Sequence, residues 1–153
     1  MKLNLAMKTI ALTFQLLHLL YHQITTNVDL YPFNNIKSYT FKERFVEAGF
    51  NFVMMSIPVA ATLVNNKTFI GVSVLCLLVT LTGEIIDWWI PYFFDCSGRW
   101  HQWHKQAYER IHKHTIIILP PIKDHPIPNL EHMILHGLTI VTFILTTILY
   151  FSL

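Results

Sequence analysis

Charge is scarce in this chain: Asp, Glu, Lys and Arg together make up 13% of 153 residues, about half of what a soluble domain carries. That scarcity excludes an ordinary water-soluble globule. The formal net charge is only +2, and no run of Lys and Arg is long enough to line a phosphate-tracking groove, so nucleic acid is excluded as a partner. The two cysteines, Cys76 inside an apolar run and Cys96 just beyond one, match neither a disulfide framework nor a zinc-knuckle spacing. Several catalytic signatures are also missing: a Gly-rich phosphate loop, a Gly-x-Ser-x-Gly turn, a Cys-x-x-Cys pair and a His-Glu-x-x-His helix. No internal repeat or low-complexity tract is visible.

What the chain has is hydrocarbon: 53% of it is hydrophobic. About 20 mostly apolar residues span a bilayer as a helix, and four such runs are present, at about residues 3–22, 47–64, 69–94 and 130–153. The first carries Lys8, Gln15 and His18 and is the weakest. It is read as a retained span rather than a secretory signal, because Lys8 interrupts the apolar stretch and no small-x-small cleavage site follows. Only Asn65, Asn66 and Lys67 separate the second and third runs, which forces an antiparallel helical hairpin. Residues 23–46 and 95–129 then lie on one side, with Lys37, Lys42, Arg44, Arg99, Lys105, Arg110, Lys113 and Lys123. Lys2, Lys8 and Lys67 lie on the other. The bias predicts cytoplasmic long loops in a multi-pass cell-membrane protein.

The second long loop has substructure. Over residues 99–114, Trp100, Trp103, Ala107 and Ile111 share one helical stripe while Arg99, Lys105, Arg110 and Lys113 lie away from it, the pattern of a helix in the headgroup layer. Pro120, Pro121, Pro126 and Pro128 then forbid helix over residues 118–129, and Asn129 is placed to cap the fourth span. The expected fold is an all-α membrane domain of residues 1–153, a four-helix bundle with an additional interfacial amphipathic helix. Membrane lipids are its expected partners, with a homo-oligomer or another membrane protein as further candidates.

The polar residues within the spans gather at one depth. His18 and His22 sit one turn apart at the end of the first span, with Gln15 on their stripe; Glu47 and Asn51 open the second. Cys76, Thr80, Glu84 and Asp87 form a stripe on the third, with Glu84 about 15 residues and so roughly 22 Å along the helix from Phe69. His132 and His136 enter the fourth at a similar level. An ionised carboxylate in hydrocarbon costs on the order of 2–3 kcal/mol even on lenient scales, so a proton, a cationic imidazole or a divalent metal such as zinc or iron is expected beside it. The sequence thus nominates Glu84 as the catalytic acid or base, or as a metal ligand with the histidines, and His18, His22, Asp87, His132 and His136 as metal ligands. The competing account is that His22, Asp87, Glu131 and His132 simply meet headgroups and water. His101, His104, His112, His114 and His125 are expected to be solvated, with His104 and His114 as reserve ligands.

Paired histidines at 18/22, 101/104 and 132/136 suggest a desaturase, but the middle pair lacks the adjacent third histidine of those enzymes and the chain is short for their fold. The stretches "VDLYPFNN", "ERFVEAGFN", "EIIDWWIPYFF" and "LPPIKDHPIPNLEHMILH" resemble an uncharacterised family of small multi-pass bacterial membrane proteins. The resemblance covers about residues 16–142; it implies a four-span fold and transfers no activity, cofactor or catalytic residue. Three functions follow from the residues: a metal-dependent membrane enzyme on a lipid-soluble substrate, a small proton-coupled transporter, or a non-catalytic membrane subunit.

Overall fold

The computed structural model describes residues 2–94 and 98–153, and among them every regular element is helical. Cys96 lies outside the described residues. Helix α1 spans Lys2–Asn27, one turn beyond the apolar run. Helix α2 spans Phe41–Val64 and begins before its hydrocarbon because Thr40 and Glu43 close a capping box. The Thr40 hydroxyl accepts from the Glu43 backbone N–H at 3.2 Å, and the Glu43 carboxylate accepts from the Thr40 N–H at 2.8 Å. Two donors that a helix start leaves unpaired are thereby satisfied.

The α2–α3 hairpin turn is made by two asparagines. Asn65 takes the left-handed conformation (φ 57°), which Asn tolerates better than most residues, and the Asn66 side chain caps α3 by accepting from the Phe69 N–H at 3.2 Å. Helix α3 runs over Lys67–Phe93, with a wider π turn at Ile85–Trp89. Pro91 supplies a reason for that turn: it has no N–H for the Asp87 carbonyl, and its ring crowds that carbonyl. After Gly98, whose φ of 135° suits glycine, come α4 (Arg99–Ala107) and a second π turn, Tyr108–His112. The proline-rich stretch is irregular, as its composition requires. Asn129 then caps α5 (Leu130–Ser152) by accepting from the His132 N–H at 3.0 Å.

Helices α2, α3 and α5 are long and apolar enough to cross a membrane, and most of each apolar stretch is exposed. Helix α1 has the length but is outside that group, because Lys8, Gln15, His18, His22 and Gln23 dilute its hydrocarbon. It packs on α2 and α5, while α3 packs on α5 and α2. At the hairpin-turn end, Ala11, Ala61, Ile70 and Leu149 form one apolar cluster. There the backbone of Gly71 lies so close to the Tyr150 ring that a Cβ would sit 3.1 Å from it. At the opposite end Trp88, Tyr92, Tyr108 and Ile127 form a second cluster. Gln15, His18, His136 and Thr139 are buried as well.

Helix α4 and the π turn after it cover the second cluster with a face that does not include the tryptophans of the stripe. Trp100 and Trp103 are about half exposed, whereas His104, Tyr108, Ile111 and His112 are buried. Arg110 ties this cover to α2: its Nη2 donates to Glu43 Oε1 at 2.6 Å and its Nη1 to Oε2 at 3.1 Å. Lys105 pairs with Asp124 at 2.5 Å, and the Tyr92 hydroxyl donates to the Pro120 carbonyl at 2.9 Å. Glu43 thus serves the α2 cap and the α4 clamp together. Glu43→Ala is expected to lower stability by about 1–2 kcal/mol, and Arg110→Ala by less than about 1 kcal/mol, because the ion pair is partly exposed. Thermal unfolding in detergent distinguishes the two; equal losses would show that the cap contributes nothing.

Candidate functional site

Three helices meet on one hydroxyl. Thr139 of α5, fully buried, lies 2.6 Å from Glu84 Oε1 on α3 and 3.0 Å from His18 Nε2 on α1. A threonine hydroxyl has a single proton. If it donates to the Glu84 carboxylate at the shorter distance, His18 must carry its proton on Nε2 and donate to Thr139. The arrangement is then a directed chain, His18 to Thr139 to Glu84. It is extended along the α1–α5 contact by Gln15 Nε2 donating to Thr146 Oγ1 at 3.0 Å. Nearer the loops, the Tyr21 hydroxyl donates to the Glu131 backbone carbonyl at 2.8 Å, which puts the loop ends of α1 and α5 at one level.

Beside this chain lies a cavity of about 880 Å³, within the size range of small-molecule sites. It occupies the space between the halves of α2 and α3 farthest from their turn. Val46 and Phe50 of α2 and Val79 of α3 line it and are themselves exposed, so its side wall is apolar and open. Its polar lining includes Glu47, Glu84, Asp87, His22, His132 and His136, with His104 and His112 from the α4 region. Asp87 accepts from the Trp100 indole N–H at 2.8 Å.

The inner end of the cavity holds a histidine cluster around Trp88. The rings of His104, His112 and His132 have centroids 5.0, 5.1 and 4.0 Å from the Trp88 ring, and His112 and His132 are 4.7 Å apart. Side-chain ligand atoms of His112, Glu131 and His132 all lie within 4.8 Å of one another. Three ligands at about 2.0 Å from one zinc ion lie about 3.3–3.5 Å apart, so side-chain closure of roughly 1–1.5 Å would complete such a site.

Hydrogen bonds fix which ring nitrogen each histidine can offer. His132 Nδ1 lies 2.6 Å from Asn129 Oδ1, an acceptor, so Nδ1 carries the proton and Nε2 keeps its lone pair. This outer contact is the kind that orients metal-bound imidazoles. His112 Nε2 faces the Tyr39 hydroxyl at 3.4 Å, and its buried Nδ1 has no partner. Glu47 lies beside that hydroxyl. A Tyr39 proton given to Glu47 leaves His112 donating from Nε2 and free at Nδ1. His136 is the opposite case. The Trp89 indole N–H, which can only donate, reaches its Nδ1 at 3.1 Å, so neutral His136 carries its proton on Nε2, which is buried without a partner.

The sequence-nominated residues are thereby sorted. Glu84 and His18 share Thr139; His22, Asp87, His132 and His136 line the cavity; of these only His132 belongs to the close metal-type group. His112 and Glu131 complete that group. His112, expected in solvent, is buried, as are His104 and His125, whereas His114 is exposed as expected. The i, i+4, i+7 spacing of His104, Tyr108 and Ile111 was the available signal for the buried face of α4. No protein-family model, curated protein or solved structure matches this chain.

Two measurements test this geometry. Thr139→Val leaves Glu84 and His18 facing a methyl group and is expected to cost about 1–3 kcal/mol, while Thr139→Ser retains the hydroxyl and most of the stability. Equal losses in the two variants would mean that packing, not the hydroxyl, matters. Burial also pushes His112 down from 6.5 to about 3, aided by His104 and Arg110, and burial lowers His104. A depressed imidazole makes the folded state bind fewer protons than the unfolded one, so its contribution is full above pH 6.5 and declines as pH falls toward 3. Melting temperature in the presence of a chelator should therefore drop on acidification below pH 6.5, and His112→Gln should flatten that slope. An unchanged slope would contradict a buried neutral His112.

Proposed function

We propose that this chain is a four-span bundle in a cell membrane, with α4 in the interfacial layer and the long loops in the cytoplasm. The function it supports best is metal-dependent catalysis on a lipid-soluble substrate. The observation that carries this reading is the side-open cavity, apolar at its α2–α3 wall and lined by His112 and His132, whose ligand atoms lie within 4.8 Å of one another and of Glu131. The exposed hydrocarbon of α2, α3 and α5 favours lipid as its surroundings, since soluble monomers rarely expose apolar patches beyond a few hundred Å². In that setting a substrate enters sideways between α2 and α3, with no need to leave the bilayer.

In this proposal His112, Glu131 and His132 hold a divalent ion such as zinc or iron, through two neutral imidazoles and a carboxylate. Such a set leaves coordination positions open for water or substrate. The ion would act as a Lewis acid and offset the carboxylates kept from water. Glu84, on the adjoining wall, is the proton donor or acceptor, held in place by Thr139.

A second reading is favoured by one feature. The His18–Thr139–Glu84 chain provides a proton path that a small proton-coupled carrier would need. Metal analysis of detergent-purified protein separates the readings. The enzyme reading expects about one metal ion per chain, lost in His132→Ala and Glu131→Gln and retained in Glu84→Gln. Folded protein without metal, combined with pH-dependent solute movement in proteoliposomes that Glu84→Gln abolishes, would replace it with the carrier. Folded protein with neither property would leave a non-catalytic subunit.

A further inference from the structure

The cavity contains a second polar position, on the α3–α5 wall and distinct from the His112–Glu131–His132 group. His136 Nε2 and Glu84 Oε2 are both buried side-chain atoms without a hydrogen-bond partner, and both residues line the cavity. His136 is only 3% exposed. Thr139, which bonds Glu84 Oε1, follows His136 by three residues on the same helix, a rise of about 4.5 Å. Buried polar groups are nearly always paired, and one left unpaired costs about 1–3 kcal/mol. Two at one wall of a cavity call for a common partner.

Their chemistry is fixed by their neighbours. Because Trp89 donates to His136 Nδ1, Nε2 can only donate. Because Thr139 occupies Glu84 Oε1, Oε2 is the free acceptor of the carboxylate. From this donor beside an acceptor, we infer that His136 and Glu84 form a head-group subsite for an apolar molecule bearing a neutral hydroxyl group. The hydroxyl oxygen accepts from His136 and its proton is donated to Glu84. A carboxylate or phosphate head is repelled by Glu84, and an ammonium head has no lone pair for His136. The hydrocarbon portion leaves along Val46, Phe50 and Val79, the exposed apolar side of the cavity. This inference rests on the membrane-cavity part of the proposed function and not on the metal.

All four tryptophans of the chain report on this place: Trp88, Trp100 and Trp103 line the cavity and Trp89 holds His136. The test uses the full chain in phosphatidylcholine nanodiscs, with chelator present throughout. Quenching of intrinsic fluorescence by bromo-undecanol is compared with quenching by its methyl ether at equal bilayer concentrations. The alcohol is expected to quench saturably with roughly ten-fold higher apparent affinity, the scale of one buried hydrogen bond to a charged acceptor. Glu84→Gln keeps the Thr139 contact but presents an N–H to the ligand, so the preference for alcohol over ether should vanish. His136→Phe should weaken both probes. Equal affinity of wild-type protein for alcohol and ether overturns the inference, and that comparison needs no variant to fold. A preference untouched by both variants, in protein with an unchanged melting curve, overturns it as well. Metal content is measured separately on the same protein before chelator is added, so loss of the metal reading leaves this result standing.

Discussion

A single buried hydroxyl, that of Thr139, ties α1, α3 and α5 to one another. His18, Thr139 and Glu84 come from three helices, and a slide of any of them by one residue, about 1.5 Å, would part at least one of the contacts at 2.6 and 3.0 Å. In hydrocarbon no water replaces a lost partner, so these bonds constrain register more than equal bonds would in water. The surrounding apolar contacts are less selective, since Ile, Leu and Val side chains pack acceptably over a range of offsets. Every other feature of the polar layer follows from that register: the cavity beside Glu84, the position of His136 one turn below Thr139, and the approach of His132 to His112.

The second constraint is the cover. Helix α4 and its π turn bring His104 and His112 onto Trp88, and the Arg110–Glu43 pair holds this cover to the start of α2. Both π turns lie at this junction, Ile85–Trp89 contributing Asp87, Trp88 and Trp89, and Tyr108–His112 contributing Tyr108 and His112. A π turn shifts the face that the following residues present and is often found at functional sites. Here it lets Trp89 point its indole N–H at His136 while Trp88, the adjacent residue, packs at a tilt against His132, ring centroids 4.0 Å apart. An unbroken α-helix separates neighbouring side chains by about 100°, and the added residue in the turn alters that spacing.

The long apolar runs, the two-asparagine turn, the Asn129 cap and the shared depth of His18, Glu84 and His136 were all legible, because each depends on spacing along one helix or on known helix length. The contribution of His112 was not. Its burial arises from tertiary contact between a short helix and Trp88, and amphipathicity favoured the tryptophan stripe over the histidine face. Glu131 was hidden for a related reason: at the first turn of a capped helix a carboxylate already has a local explanation, so nothing in the sequence asks for another. Thr139 passed unnoticed because threonine is common in apolar helices, and only the partners reached from α1 and α3 reveal its hydroxyl as a junction.

The histidines of the cavity illustrate why a count of ligand-type residues is a weak guide to chemistry. His132 and His136 lie one turn apart on α5, at a spacing that can share a metal, yet their second contacts assign them opposite properties. Asn129 takes the Nδ1 proton of His132 and leaves a lone pair; Trp89 gives its proton to His136 Nδ1 and leaves an N–H. A metal needs the first arrangement and a ligand oxygen needs the second. The two rings are therefore not equivalent, one offering a lone pair and the other an N–H, and the division is made by an amide and an indole that carry no charge. Under the proposed function this division would suit an amphiphile, whose neutral head would meet His136 and Glu84 without competing for an ion held by His132.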